Sequence, residues 1–301
     1  MEGTADDFAK LELVSTIGFA GCVPGGLIVH PDQHHLIYSV GNTIIVQNIS
    51  SNKQRFLVGH TDNVSCIAVS KSGRFIASGQ VTHMGFKADI IVWDYETCSK
   101  YCLLTLHKVK VEALAFSPND KYLVSLGGQD DNSVVIWNLQ KKEAICGAPA
   151  AVPSSGTSYV VAFSNNNDEL FVTGGNKTLR VWELDLPNRK IRPTDCNMGQ
   201  LKRIIKCIKV AEDDQSFYCG TTSGDILEIN MNTRLFRHYG PQKEKFSLGI
   251  QALQVLKTGD VLIGAGDGTV ALLKGQSYKR MRTTNVDGGV TSLTLRGVGH
   301  Q

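Results

Sequence analysis

Short apolar runs recur at an even spacing along this chain. At the end of each period an apolar run is followed by polar residues. Six of these ends lie 46, 44, 45, 47 and 44 residues apart. They fall at Gln47-Asn48, Trp93-Asp94, Trp137-Asn138, Trp182-Glu183, Ile229-Asn230 and Leu273-Lys274. Clusters of Gly, Asn, Asp and Ser separate the runs, which is typical of short strands joined by tight turns.

One period illustrates the predicted elements. The third period predicts an outer strand at Tyr101–Leu106, followed by strands at Val111–Ser117, Tyr122–Leu126 and Ser133–Leu139. A period near 45 residues with Trp-Asp at a strand end is typical of WD repeats. Because one such repeat cannot bury both of its faces, the repeats must stack around an axis. We therefore predict an all-β WD-repeat β-propeller over residues 11–301, after an N-terminal tail at residues 1–10.

The predicted ring has six complete four-stranded blades and a partial seventh. A seventh Trp-Asp position would fall about 45 residues after Leu273, which is beyond the last residue of the sequence. Only an outer strand at Tyr278–Thr284 and an inner strand at Val290–Leu295 are predicted there. The strand predicted at Leu11–Ile17 fits the outer position of the last blade and is expected to close it.

The second blade departs from the repeat pattern. It has the segment Gly79–Ala88 where the other blades have a tight turn. This insertion is expected to project from one face of the ring.

A buried polar relay is expected in three blades. In WD repeats, a His at the blade entrance bonds a Ser or Thr on the middle strand, which in turn bonds the Trp indole N–H. Trp donates a single hydrogen bond and needs a partner when it is buried. The candidate residues are His60, Ser78 and Trp93 in the second blade, His107, Ser125, Asp131 and Trp137 in the third, and Thr173 and Trp182 in the fourth, which lacks a matching His.

Composition narrows the class of protein. The chain is 42% apolar, its net charge is +3, and its 8 Cys include no CxxC pair. The acidic N-terminus lacks the apolar segment of a secretory signal, and no apolar run approaches the roughly 18 residues of a membrane span. These features predict a reducing, cytoplasmic compartment and no membrane partner.

Catalytic and ligand-binding patterns are not expected. Phosphate-loop, nucleophile-elbow and zinc-protease motifs are missing from the sequence. Gly264–Gly268 is interpreted as a hairpin turn, Cys98 and Cys102 lack a second pair of metal ligands, and His34-His35 is placed in a solvated turn. The inner strands are predicted to present mainly apolar residues and Ser to the axis. We expect no enzyme, no cofactor, no metal and no small-molecule substrate.

One basic cluster exceeds the background charge. It comprises Arg189, Lys190, Arg192, Lys202, Arg203, Lys206 and Lys209, against the single acid Asp195. We expect these residues on outer strands or their loops, which face outward. Two interpretations stay open: an ordinary solvated rim, or a docking surface for an acidic partner. Nucleic acid is disfavoured because no aromatic residues are interleaved for base stacking.

Three segments carry a family resemblance: Asp7–Phe19, Phe56–Cys66 and Thr173–Leu184. They resemble the N-terminal propeller of cilia- and flagella-associated WD-repeat proteins, the family with two tandem propellers inside ciliary doublet microtubules. The resemblance implies a structural role in the axoneme of cilia and flagella, tubulin and other axonemal proteins as partners, and no catalysis. The residues alone leave open a cytosolic adaptor that recruits a partner to a signalling or ubiquitin-ligase complex.

Overall fold

A computed structural model describes residues 13–19 and 21–297, which form an all-β ring of six four-stranded antiparallel sheets. The first three blades contain β1 Ile28–Val29, β2 His35–Val40, β3 Thr43–Asn48 and β4 Gln54–Val58; β5 Val64–Val69, β6 Phe75–Gln80, β7 Lys87–Asp94 and β8 Ser99–Lys108; and β9 Val111–Phe116, β10 Tyr122–Gly127, β11 Ser133–Asn138 and β12 Glu143–Pro149. Within the described ranges the chain has no helix, and hence none long and apolar enough to cross a membrane.

The other three blades repeat this order. They contain β13 Ser158–Phe163, β14 Leu170–Gly175, β15 Leu179–Asp185 and β16 Lys190–Asp195; β17 Ile205–Val210, β18 Ser216–Thr221, β19 Ile226–Asn230 and β20 Phe236–Gly240; and β21 Ile250–Val255, β22 Val261–Ala265, β23 Thr269–Leu273 and β24 Arg280–Asn285. The prediction of six complete blades from the 44–47-residue spacing is confirmed.

The core lies between neighbouring blades rather than within one sheet. Between the first and second blades, Ile37 and Ile44 pack with Ile76 and Ile91 in one buried cluster. Similar clusters join the later blades. Since each sheet buries both of its faces, its second and third strands are almost continuously apolar.

The outer strand of each sequence period belongs to the preceding sheet. For example, β8 pairs with β7, with Trp93 opposite Lys100. The chain then crosses from the outermost strand of one blade to the innermost strand of the next. These crossings emerge on the same side of the ring as the turns between second and third strands, because all the strands are antiparallel. We call this side the upper face.

The same pairing corrects the prediction for the last repeat. The strand predicted at Tyr278–Thr284 as part of a seventh blade is observed as β24, which pairs with β23 and completes the sixth sheet. The segment predicted as an inner strand, Val290–Leu295, is not a regular strand, although its Val290 N–H donates to the Ala265 carbonyl at 3.0 Å.

The N-terminal closing strand is also corrected. Leu11 and the tail at residues 1–10 lie outside the described residues, and residues 13–17 form no strand. Instead, the Thr16 N–H donates to Gln54 Oε1 at 2.8 Å, and Phe19 lies edge-on to Tyr38 at 5.8 Å. This segment therefore covers the first blade rather than extending the last.

Candidate functional site

A four-residue chain of hydrogen bonds runs from the core of the third blade to the upper face, with His107 contributed by β8 of the second blade. Trp137 Nε1 donates to Ser125 Oγ at 2.8 Å, Ser125 Oγ lies 2.7 Å from His107 Nε2, and His107 Nδ1 lies 3.0 Å from Asp131 Oδ2. Burial raises the pKa of Asp131, but hydrogen bonds from His107 and the Lys108 backbone N–H outweigh it, so the pKa is lowered. An ionised Asp131 can only accept, so His107 Nδ1 donates to it and Nε2 accepts from Ser125.

The second blade has the same relay with a different end. Trp93 Nε1 donates to Ser78 Oγ at 2.8 Å, and Ser78 Oγ lies 2.7 Å from His60 Nε2. Here Gln80 Oε1, rather than a carboxylate, lies 2.9 Å from His60 Nδ1. Burial lowers the pKa of His60 despite that hydrogen bond, so the imidazole is held neutral. Sequence reasoning missed Gln80, because the second blade has Lys87 at the position before its Trp where the third blade has Asp131.

The fourth blade keeps only the inner part of the relay. Trp182 Nε1 donates to Thr173 Oγ1 at 2.8 Å. Arg180 takes the space toward the upper face: its Nε donates to Asp195 Oδ1 at 2.7 Å and its guanidinium lies 5.8 Å from the Trp182 ring. Arg180 thus contributes a cation–π contact and an ion pair in the fourth blade, whereas the relays of the second and third blades continue through a His.

The fifth blade carries a buried ion cluster that the sequence did not reveal. The Asp225 side chain is fully buried and accepts from Arg203 Nη2 at 3.0 Å and from Lys245 Nζ at 3.1 Å. Thr221 Oγ1 also donates to it. Burial raises the pKa of Asp225, but these hydrogen bonds, with Arg203 first among them, lower it overall. The three charged residues come from separate loops of the upper face, so their proximity has no local sequence signal.

A second polar cluster lies on the lower face between the first two blades. Asp32 accepts from Tyr95 OH at 2.6 Å and lies 2.7 Å from His35 Nδ1, while His30 stacks on the Tyr95 ring at 3.6 Å. Burial raises the pKa of Asp32, but the hydrogen bonds from Tyr95 OH and from the His34 backbone N–H outweigh this effect, so the pKa is lowered overall. Of the predicted solvated pair, His35 is therefore tied into the structure.

The basic cluster does not form one surface. Arg189, Lys190 and Arg192 lie exposed at the outer edge of the fourth blade, as expected, and Arg192 is ion-paired with Asp185 at 2.5 Å. Lys202 is exposed in the crossing to the fifth blade.

Three members of this cluster correct the prediction that all seven cations face outward on outer strands or their loops. Arg203 is paired with buried Asp225 on the upper face. Lys206 and Lys209 lie on β17, the innermost strand of the fifth blade. The Lys206 ammonium lies 5.0 Å from the Tyr159 ring centroid, and partial enclosure by the surrounding strands lowers the pKa of Lys209. Spacing along the chain could not reveal that one run spans an outer strand, a crossing and an inner strand.

The central channel is more polar than predicted. Its cavity of about 560 Å³ is lined by the innermost strands of the blades and by 291–295. The second position of the successive inner strands contributes Glu112, Tyr159, Lys206 and Gln251. The fourth position contributes apolar residues such as Leu114 and Leu253. A polar ring thus lies above an apolar belt, which corrects the expectation that the inner strands present mainly apolar residues and Ser. Within the described residues, no group of three or more His, Cys, Asp or Glu side chains could hold a metal ion.

Comparison with known proteins decides the family. The model of the echinoderm microtubule-associated protein first β-propeller matches residues 53–299. The chain belongs to this propeller family. That match begins at the end of the first blade and includes all three relays.

Three named proteins are similar to this chain. The chain is 59% identical over 292 residues to Cilia- and flagella-associated protein 52 of Bos taurus, covering 97% of this chain and 47% of the relative. It is 45% identical over 286 residues to the protein of that name from Chlamydomonas reinhardtii, covering 95% and 46%. WD repeat-containing protein 90 of Mus musculus is 25% identical over 233 residues, covering 74% and 12%. The chain thus spans about half the length of its ciliary relatives, and the predicted resemblance is confirmed.

Proposed function

We propose that this propeller is a non-catalytic scaffold of cilia and flagella that binds inside the doublet microtubules of the axoneme. The observation that carries the proposal is the 59% identity, across 97% of the chain, with a relative named for cilia and flagella. Identity at this level across every blade supports a shared fold and a shared cellular role.

The hydrogen bonding of the relays supports a structural rather than a chemical role. Both ring nitrogens of His60 are engaged by side chains of the second blade, and both ring nitrogens of His107 by side chains of the third. A general base must also lie within reach of a substrate proton, and Ser78, Ser125 and His107 are completely buried. These histidines instead connect the Trp side chain to the upper face, so we assign the relay to stability.

We propose that the outer cations contribute to contact with tubulin, which is acidic. Lys190 and Lys202 are exposed, and among the described residues neither ammonium group forms an ion pair, although Lys190 lies opposite Asp185 across the strand pair. Exposed cations of this kind steer association with an acidic surface and lose their effect as salt rises. Arg203 and Lys206 are excluded from this role because their side chains are engaged within the ring.

We also infer that the ring has seven positions, with Val290–Leu295 as the innermost element of the seventh. Two contacts support the inference. Val290 packs on Gly264 as Val111 packs on Gly79. Ser292 Oγ donates to the Leu27 carbonyl at 3.0 Å, so this element contacts the chain beside the innermost strand of the first blade, as Cys66 Sγ contacts the Val111 carbonyl of the next inner strand. Further strands at this position would cover Leu272, which is only half-buried on the open side of the sixth blade.

Localisation of the tagged full-length protein in ciliated cells tests the proposed function. We expect an axonemal signal that survives detergent extraction. A diffuse signal that detergent removes would instead favour the cytosolic adaptor. A tagged protein with Trp137→Ala provides the control, because signal from misfolded protein should not enter the axoneme.

A further inference from the structure

The second blade carries a projecting hairpin that no other blade has. Its third and fourth strands, β7 and β8, have 8 and 10 residues, whereas the third strands of the other blades have 5 to 7. The connection between β6 and β7, residues 81–86, extends this hairpin on the upper face. We call residues 81–87 together with Lys108 the hairpin tip.

The backbone of the hairpin tip is fixed by hydrogen bonds. The Phe86 N–H donates to the His83 carbonyl at 3.1 Å, and the Val109 N–H donates to the Phe86 carbonyl at 3.0 Å. The Thr82 N–H donates back to the Val109 carbonyl at 2.6 Å, and Gly85 takes the turn with a φ of 91°. A turn that is ordered before binding loses little conformational entropy when it docks.

This fixed frame presents two large apolar side chains to solvent. Met84 is 84% exposed and Phe86 is 65% exposed. Met and aromatic residues are enriched in the buried centres of protein interfaces, and a few such side chains supply most of the binding energy. A single exposed apolar residue needs no explanation, but a pair held on a projecting turn marks a contact site.

The charges beside the apolar pair indicate the chemistry of the partner. Lys87 and Lys108 lie directly opposite each other on β7 and β8, and both are exposed. Like charges in directly opposite positions destabilise a strand pair. In the part of the chain that the structure describes, neither ammonium group has an ion-pair partner. The Asp131 carboxylate accepts the Lys108 backbone N–H at 2.9 Å and is already engaged by His107 Nδ1 at 3.0 Å, and Asp62 lies 4.0 Å from His83. Carboxylates from a partner would relieve this repulsion.

We propose that the hairpin tip is a docking element that inserts Met84 and Phe86 into an apolar groove of another protein, with carboxylates at the rim of that groove facing Lys87 and Lys108. The inference rests on the proposed scaffold function, because it supplies a contact through which a binding module would attach. A lipid surface fits less well, since stable membrane attachment takes a longer apolar face or a larger cluster of basic residues than this tip offers.

Site-specific cross-linking tests the proposal. The full-length protein would carry the photo-cross-linker benzoylphenylalanine in place of Phe86, expressed in ciliated cells, with the cross-linker at Leu248 as a matched control. Leu248 is 74% exposed on the same face of the ring. A second pair of proteins would add Lys87→Glu/Lys108→Glu, or the control reversal Lys53→Glu/Lys243→Glu at exposed lysines elsewhere.

We expect one cross-linked partner at position 86, with the attached peptide containing apolar residues flanked by Asp or Glu. The Lys87→Glu/Lys108→Glu reversal should lower its yield at least about tenfold, and the control reversal should leave it unchanged. The proposal is overturned if no cross-link forms at position 86, or if cross-links form only to lipid or to a second copy of this chain. A cross-linking yield that the Lys87→Glu/Lys108→Glu reversal leaves unchanged would also overturn it.

The same experiment separates this inference from the proposed function. A specific cross-link to an acidic partner in cells where the protein is soluble supports the hairpin tip and contradicts the ciliary scaffold. A protein retained in the axoneme without a cross-link at position 86 supports the scaffold and overturns the hairpin tip.

Discussion

Val290 packs against Gly264. In other blades, the first residue of an innermost strand makes the same contact with a glycine on the second strand of the preceding blade. A Cβ added at Gly264 would lie 2.8 Å from Val290 Cβ, compared with 2.5 Å between Gly79 and Val111 and 3.2 Å between Gly220 and Ile250. Each glycine lets the next inner element approach the second strand closely. The contact therefore repeats from blade to blade and continues past the sixth.

Replacing Gly264 by Ala tests this packing. The added methyl must push Val290 outward, so we expect a loss of about 1–3 kcal/mol in the free energy of unfolding. Combining it with Val290→Ala should restore part of the loss, because the two changes share one contact. Gly21→Ala is the control, since its Cβ would meet only the Phe19 ring at 3.5 Å. Additive losses in a denaturant-unfolding cycle would refute the assigned contact.

The relay of the third blade predicts unequal losses along its length. Trp137→Ala leaves a cavity and removes the donor to Ser125, so we expect about 3–5 kcal/mol of destabilisation. His107→Ala should cost about 1–3 kcal/mol through lost hydrogen bonds to Ser125 and Asp131. His34→Ala, at an exposed position, is the control. Thermal or urea unfolding measures all three. An unchanged midpoint for His107→Ala would show that the relay does not stabilise the blade.

The repeat spacing predicted most of the fold because strand pairing within a blade is local in sequence. The predicted strands at Val111–Ser117 and Tyr122–Leu126 match β9 and β10 within one residue at each end. Assignment of the outer strands to blades failed at Tyr278–Thr284, because sequence order does not reveal on which side of a crossing a strand pairs.

Arg203 and Lys202 are adjacent in sequence but should respond differently to charge reversal. Arg203→Glu removes a guanidinium from fully buried Asp225 and adds a second carboxylate, so we expect a loss of about 3–5 kcal/mol. Lys202→Glu changes an exposed charge and should alter stability by no more than about 0.5 kcal/mol. Chemical denaturation of the two variants compares them. Equal stabilities would place Arg203 in solvent rather than in the ion cluster.

His60 predicts a specific pH dependence. Burial lowers its pKa from the ordinary 6.5, so the unfolded chain binds the proton more readily than the folded one. The stability that neutral His60 contributes is complete above about pH 6.5 and is lost as the pH falls from there toward the lowered pKa. We expect His60→Gln to flatten the fall in stability between about pH 6.5 and 5 relative to the wild type. The same slope in both proteins would contradict the assignment.

The polar sites show where sequence reasoning ends. His107, Ser125 and Trp137 were predictable because each occupies a fixed position in a repeat. The Arg203–Asp225–Lys245 cluster was not, because its members converge from three loops of the upper face. The division of the basic run between rim and channel was likewise hidden, since one crossing separates an outermost strand from an innermost strand.

Difference imaging of ciliary doublet microtubules tests the central claim most directly. Doublets from cells that carry the protein would be compared by cryo-electron tomography with doublets from cells that lack it, with a tag on the full-length protein to mark its position. We expect a propeller-shaped density within the doublet that is missing from cells that lack the protein and returns, with the tag attached, on re-expression. Identical doublets in the two strains, or a tag found only outside the axoneme, would contradict it.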